Sequence, residues 1–412
     1  MKNFLFITLC ILAIFLNGCT KQSADHTTIK FSSWGSQSEI EILQPLLKEF
    51  EKQNPDIRVE FLHIPQNYFQ KLHLLFASNL APDVLLINNY QSPKYIKAGL
   101  LEDLTQYFQE ELNGNKFFDK SVENFTYKKG VYAIPRDVSN LVIFYNKDIF
   151  DKYNVPYPST NWTIEDYIKT AQKLTHKRKN GVSVWGISFE RDALFWLPYL
   201  YSNNGGLFDN EEKVIIGQKE SIEALNNYTD LVNKYHVAPD KAQSASLTMA
   251  QLFLQQRIAM HLSGRWLVPK YRKDANFNWD IVNFPNGKAG SVVGIDSSGY
   301  SMSKSSKQKD ASIKLIRFLT SKYASDKMAK SGLIVPARKE TAYSDVFLSP
   351  HEKPAHARIF LDVIPYGKTT IVNENYQKVT DILNQTLEPL FDGKKKAQEV
   401  ITPLLLEQIQ NP

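Results

Sequence analysis

The side chains with chemical potential gather where short apolar runs end. Trp34 follows the run Ile29 to Ser33, and Asn88, Asn89 and Tyr90 follow Val84 to Ile87. Arg136 and Asp137 come after Pro135, Glu190 and Asp192 after Phe189, and Arg265 and Trp266 after Ser263-Gly264. Asp296 lies in the glycine-bearing stretch Ser291 to Tyr300. Ligands of open α/β sheets bind beyond the carboxyl ends of the strands, so side chains at these positions reach a ligand. Ring faces beside amides, carboxylates and guanidiniums can stack on the apolar faces of a ligand while pairing with its polar groups.

Each residue also has a plainer reading. Trp34 packs, Asn89 and Tyr90 form a polar turn, Arg136 and Asp137 pair with each other, and Asp296 caps its own loop. Asp192 and Trp196 are four residues apart, which sets an acceptor beside a stacking ring on one helical face. The same aromatic helix also reads as pure core. Trp162, Trp185 and Trp279 read as core.

Covalent chemistry has little support. The chain contains no His-Glu-x-x-His, no Gly-x-Ser-x-Gly and no phosphate loop, and its histidines show no metal-ligand spacing. No metal and no cofactor is expected. A carbohydrate-active enzyme needs only two carboxylates at a set separation, which spacing alone does not reveal, so it stays as the rival from another class.

The first residues point to export. Lys2 precedes an apolar run, Phe4 to Phe15, which is far shorter than the roughly 20 residues of a spanning helix and has the length of a signal-peptide core. Leu16-Asn17-Gly18-Cys19 resembles a bacterial lipobox, with residues 1–18 removed and Cys19 acylated. Residues 19–28 then form a polar tether. Cys10 leaves with the signal, so the mature body holds no disulfide and no cysteine metal site. The formal net charge of +6 drops by one with Lys2, and the remaining basic residues are scattered apart from Lys394-Lys395-Lys396. Nucleic acid is not an expected partner.

From Ile29 onward, short β-like runs alternate with amphipathic helical ones, the pattern of an α/β fold. Ile40, Leu43, Leu46, Leu47 and Phe50 mark one helix face, and Val84-Leu85-Leu86-Ile87 reads as a strand buried on both sides. Thr163-Ile164-Glu165-Asp166 has capping-box spacing. Val131 to Pro135, Leu141 to Tyr145, Val184 to Phe189 and Ile258 to Leu262 read as strands. Helices are expected near 221–235, 248–256, 310–320, 373–391 and 396–410.

Several segments together resemble the family 1 extracellular solute-binding proteins, the group that contains maltose-binding protein. They include Ala81-Pro82-Asp83-Val84, Ala98-Gly99-Leu100-Leu101-Glu102-Asp103-Leu104, Tyr132-Ala133-Ile134-Pro135-Arg136 and Phe144-Tyr145-Asn146-Lys147-Asp148-Ile149-Phe150. Asn204-Gly205-Gly206, Ser263-Gly264-Arg265-Trp266 and Leu333-Ile334-Val335-Pro336-Ala337-Arg338 follow in order. The resemblance implies a two-lobed periplasmic-binding-protein fold with an interlobe cleft and hinge. The lobes expected from it are residues 29–137 with 291–340, and 138–290 with 341–412. It also implies stacking roles for Trp266 and for Trp196 or Phe195, with Tyr376 as a last aromatic and Arg338 as a further candidate. The implied function is that of a monomeric, lipid-anchored binding component. It passes a mono- or oligosaccharide to the permease and ATPase subunits of an ABC importer. A second version keeps the fold but has Arg136, Arg265 and Arg338 clamp an anionic solute such as a glycerol phosphate.

Overall fold

The computed structural model of the chain describes residues 26–412 except Gly114. The signal segment, the lipobox and Cys19 lie outside the described residues. Two five-stranded sheets organise the molecule. In chain order their strands are Thr27–Ser33 (β1), Ile57–His63 (β2), Val84–Asn88 (β3), Ile134–Pro135 (β4), Leu141–Asn146 (β5), His176–Lys177 (β6), Ser183–Ile187 (β7), Ile258–Gly264 (β8), Trp279–Val282 (β9) and Ser298–Met302 (β10). The first sheet runs β2-β1-β3-β10-β4 and the second runs β9-β5-β8-β7-β6.

In the first sheet β1 pairs in parallel with β2 and β3, while β10 runs antiparallel between β3 and β4. Strand β3 shows why its sequence is apolar throughout. Val84 and Leu86 pack with Leu43, Leu46, Leu47 and Phe50 of the helix Gln37–Gln53, and Leu85 and Ile87 pack with Tyr68 and Leu72 from the helix Tyr68–Ala77. Alternate side chains therefore bury on opposite faces, each adding about 1.5–3 kcal/mol when fully covered. In the second sheet β8 lies parallel to β7 and antiparallel to β5.

The chain passes between the sheets along adjacent segments. Asp137–Val138 pairs with Val335–Pro336, and Ser139 pairs with Asp296. Gly294–Ile295 pairs in addition with Lys368–Thr369. These extended connections form a hinge, and the cleft opens beside them. The fold is α/β and two-lobed.

Some expected elements differ. Strand β1 starts at Thr27, two residues earlier than the apolar run suggests, because Thr27 and Thr28 already pair with Ile57 and Arg58. The run Val131 to Pro135 is not one strand: Gly130–Val131 closes a hairpin on Thr126–Tyr127, and β4 is separate. The two long C-terminal helices are broken into Tyr376–Thr386, Glu388–Phe391, Ala397–Val400 and Pro403–Gln410. Pro389 and Pro403 lack the N–H that a continuous helix needs, and each sits in the first turn of a new one. No helix among the described residues is long and apolar enough to cross a membrane.

Candidate ligand-binding cleft

A cavity of about 330 Å³ lies between the sheets. Trp34, Glu39, Asn89 and Tyr90 reach it from the first lobe, and Leu194, Arg265 and Trp266 from the second. Arg136, Asp137, Ser139, Asp296, Ser298 and Leu333 to Val335 reach it from the crossing segments.

The two indoles are held differently. Trp34 follows β1 and is braced edge-on by Tyr68 and at a tilt by Phe69, with ring centroids 5.2 and 5.6 Å away. The chain then turns through Gly35 at φ +136°, a backbone region that side chains with a Cβ avoid. Trp266 leaves the end of β8 and is 38 % exposed. Its ring lies over Gly264, where an added Cβ would come within 1.9 Å of the indole. Glycine at 264 is thus what lets the indole lie down beside the cavity.

The polar wall is pre-assembled. Asp296 is buried, and its carboxylate accepts from Asn89 Nδ2 at 2.9 Å and from the Tyr90 hydroxyl. Burial pushes its pKa up, and the hydrogen bonds from Tyr90, Asn89 and Thr370 oppose that shift. Asn89 Oδ1 in turn accepts the Ser297 N–H at 3.2 Å, so the amide is fixed at both ends. Arg136 and Asp137 form the ion pair that was one of their two readings, at 2.8 Å with little exposure. Asp137 also accepts from the Ser298 N–H and hydroxyl at 2.7 and 2.6 Å.

Arg265 lines the cavity, and its guanidinium is partly engaged elsewhere, with Nη1 buried and without a hydrogen-bond partner among the described residues. Nε donates to the Gly332 carbonyl at 3.1 Å, and the group lies over the rings of Phe347 and Phe360 at 4.3 and 5.3 Å. Burial and the neighbouring Arg272 lower its proton affinity.

Four expected positions lie away from the cavity. Trp196 is fully buried in the second lobe's core, because the helix Ala193–Ser202 is covered on nearly every side. Asp192 is the N-cap of that helix, and its carboxylate accepts the Leu194 N–H at 2.9 Å. Leu194 is the residue of this helix that meets the cavity. Arg338 donates Nε and Nη2 to the Thr320 carbonyl and lies over Phe117, an anchor within the fold. Tyr376 is buried behind Tyr90, stacked on it at 5.3 Å and 25°.

Sequence reasoning also missed cavity residues. Glu39 accepts the Ser36 N–H at 2.8 Å, so its Ser-x-x-Glu spacing reads as a helix cap and hides its second position on the cavity wall. Leu333 to Val335 carried the family resemblance but no chemical signal of their own. Among the described residues no group of three His, Cys, Asp or Glu side chains is placed to hold a metal.

Comparison with known proteins fits this geometry. Residues 34–324 match the model of the bacterial extracellular solute-binding protein family, which covers well over half of the chain. The chain belongs to that family. As a solute-binding protein of this family it works outside the cytoplasm. A solved ABC substrate-binding protein from Listeria monocytogenes, in complex with cycloalternan, is 28 % identical, with a TM-score of 0.84 over 94 % of this chain and 98 % of that one. The arabinooligosaccharide-binding protein of Bacillus subtilis is 22 % identical over 95 % of this chain and 94 % of its own. The galactooligosaccharide-binding protein of the same organism is 24 % identical over 89 % and 86 %. These relatives of the solute-binding chain are binding proteins.

Proposed function

We propose that this chain is the lipid-anchored, substrate-binding component of an ABC importer, and that it carries a mono- or oligosaccharide in its cleft without altering it covalently. The observation that carries the reading is that two indoles, one from each lobe, line a single cavity whose amide and carboxylate groups are already oriented. A sugar there can stack its C–H faces on the indoles and pair its hydroxyls with the fixed acceptors. The relatives that bind cycloalternan, arabinooligosaccharides and galactooligosaccharides support the same ligand class. In this reading the ligand touches both lobes, so it favours the closed form by the difference in its affinity for the two states. The closed pair of lobes is then the surface that the permease recognises. The lobes are residues 29–137 with 291–340 and 138–290 with 341–412, and Cys19 carries the lipid.

The anionic-solute version is not favoured. Arg136 is neutralised by Asp137, Arg265 is engaged with a carbonyl and two rings, and Arg338 lies away from the cavity. A thermal-shift screen of neutral saccharides and glycerol phosphates on the chain from residue 20 tests the choice. A neutral sugar should raise the melting temperature in step with RT ln(1 + [L]/Kd), with little dependence on salt. Stabilisation by glycerol phosphates alone, abolished by salt, would sink the carbohydrate reading.

A further inference from the structure

The cleft is closed at one end and open at the other. At the closed end, Tyr90 of the first lobe stacks on Tyr376, the first residue of the helix Tyr376–Thr386, whose successors pack on the second lobe. Next outward, Gln91 Nε2 donates to Gln377 Oε1 at 3.0 Å. At the surface the Lys97 ammonium pairs with the Glu374 carboxylate. These contacts form a seam that runs from the tyrosine pair, whose Tyr90 hydroxyl donates to Asp296 in a crossing segment, out to a partly exposed ion pair. Tyr90 lines the cavity and Tyr376 does not, and past Tyr90 and Asp296 the space narrows to a void of about 10 Å³. At the other end, Trp34 and Glu39 line both the cavity and an adjoining open hollow of about 580 Å³ beside Gln37 and Gln66. Among the described residues no hydrogen bond or ion pair joins the lobes beside that hollow.

From this asymmetry we propose that the seam is a direction and length gate. A bound saccharide ends against Tyr90, with its terminal hydroxyls toward the oriented Asp296, and additional units extend only past Trp34. This inference rests on the carbohydrate reading for its ligand but not for its geometry. The seam also holds the two rims together in the ligand-free chain.

Two variants test it. Glu374→Ala/Tyr376→Ala/Gln377→Ala removes the second lobe's half, and Lys97→Ala/Gln377→Ala changes only surface side chains, so it keeps the fold if the buried substitution does not. The probes are malto-, galacto- and arabino-trisaccharides, each carrying a bulky aromatic group at the reducing end or a bulky acetal at the other. The wild type should tolerate one modification and lose at least tenfold in affinity with the other, measured by calorimetry. That asymmetry should narrow in the triple variant, which removes the ring behind Tyr90, and persist in the surface variant, which keeps it. Equal tolerance of both ends by the wild type, or an asymmetry undiminished in the triple variant, overturns the gate. X-ray scattering from the ligand-free proteins decides the seam without any sugar. The radius of gyration should rise in the variants, and an unchanged value overturns the seam as a clasp. If no saccharide binds any of the proteins, the carbohydrate reading falls while the scattering result still stands.

Discussion

The Trp266 indole rests on Gly264 and stays partly exposed, so its removal should affect binding more than folding. Trp266→Ala is expected to weaken the best saccharide at least tenfold, about 1.4 kcal/mol by calorimetry, with the melting temperature of the free protein little changed. Gly264→Ala should have a similar effect, because the new methyl displaces the ring at a position whose φ of −109° suits any residue. Trp196 should behave in the opposite way. Trp196→Ala empties a fully buried site and should cost about 3–5 kcal/mol in chemical unfolding. His261 is buried against Tyr271, and burial pulls its pKa from 6.5 down to about 3. The folded chain therefore refuses a proton that the unfolded chain accepts. The stability this gives is complete above pH 6.5 and falls as pH drops toward 3, by up to about 1.4 kcal/mol per pH unit. Urea titrations between pH 4 and 6 should show that slope reduced by about one proton in His261→Asn.

At the level of elements, what the sequence disclosed was whatever has a local signature. The apolar run at β3, the helix face from Ile40 to Phe50 and the Thr163 capping box all follow from periodicity or spacing, and all are present. Thr163→Ala should therefore lower stability by about 1 kcal/mol in urea unfolding, through loss of the cap alone. Positions set by tertiary packing were less legible. A tryptophan one turn into a helix reads the same whether the helix faces a cleft or is wrapped by its lobe, and only packing sends Trp196 inward and Leu194 to the cavity. Similarly, Tyr376 carries no local mark of its stack with a tyrosine nearly three hundred residues earlier. Glu39 was hidden for a different reason: one carboxylate both caps a helix and faces the cavity, and the first role accounts for its spacing.

For the whole molecule, the proposal makes attachment and capture separable. Cys19→Ser should move the protein from the membrane fraction to the medium or periplasm and leave sugar affinity unchanged, as read by fractionation and calorimetry. The order of strands in the first sheet has a further consequence, for biogenesis. Strand β10 lies between β3 and β4, yet it is synthesised some 160 residues after β4. Until Ser298–Met302 emerges, β3 and β4 have no shared neighbour, and the second sheet is already complete in the nascent chain. Unpaired edges of this kind fold slowly and invite mispairing. For a polypeptide that works outside the cytoplasm the delay is useful: the first sheet stays unfinished, and the chain stays easier to thread across a membrane, until its last third is made.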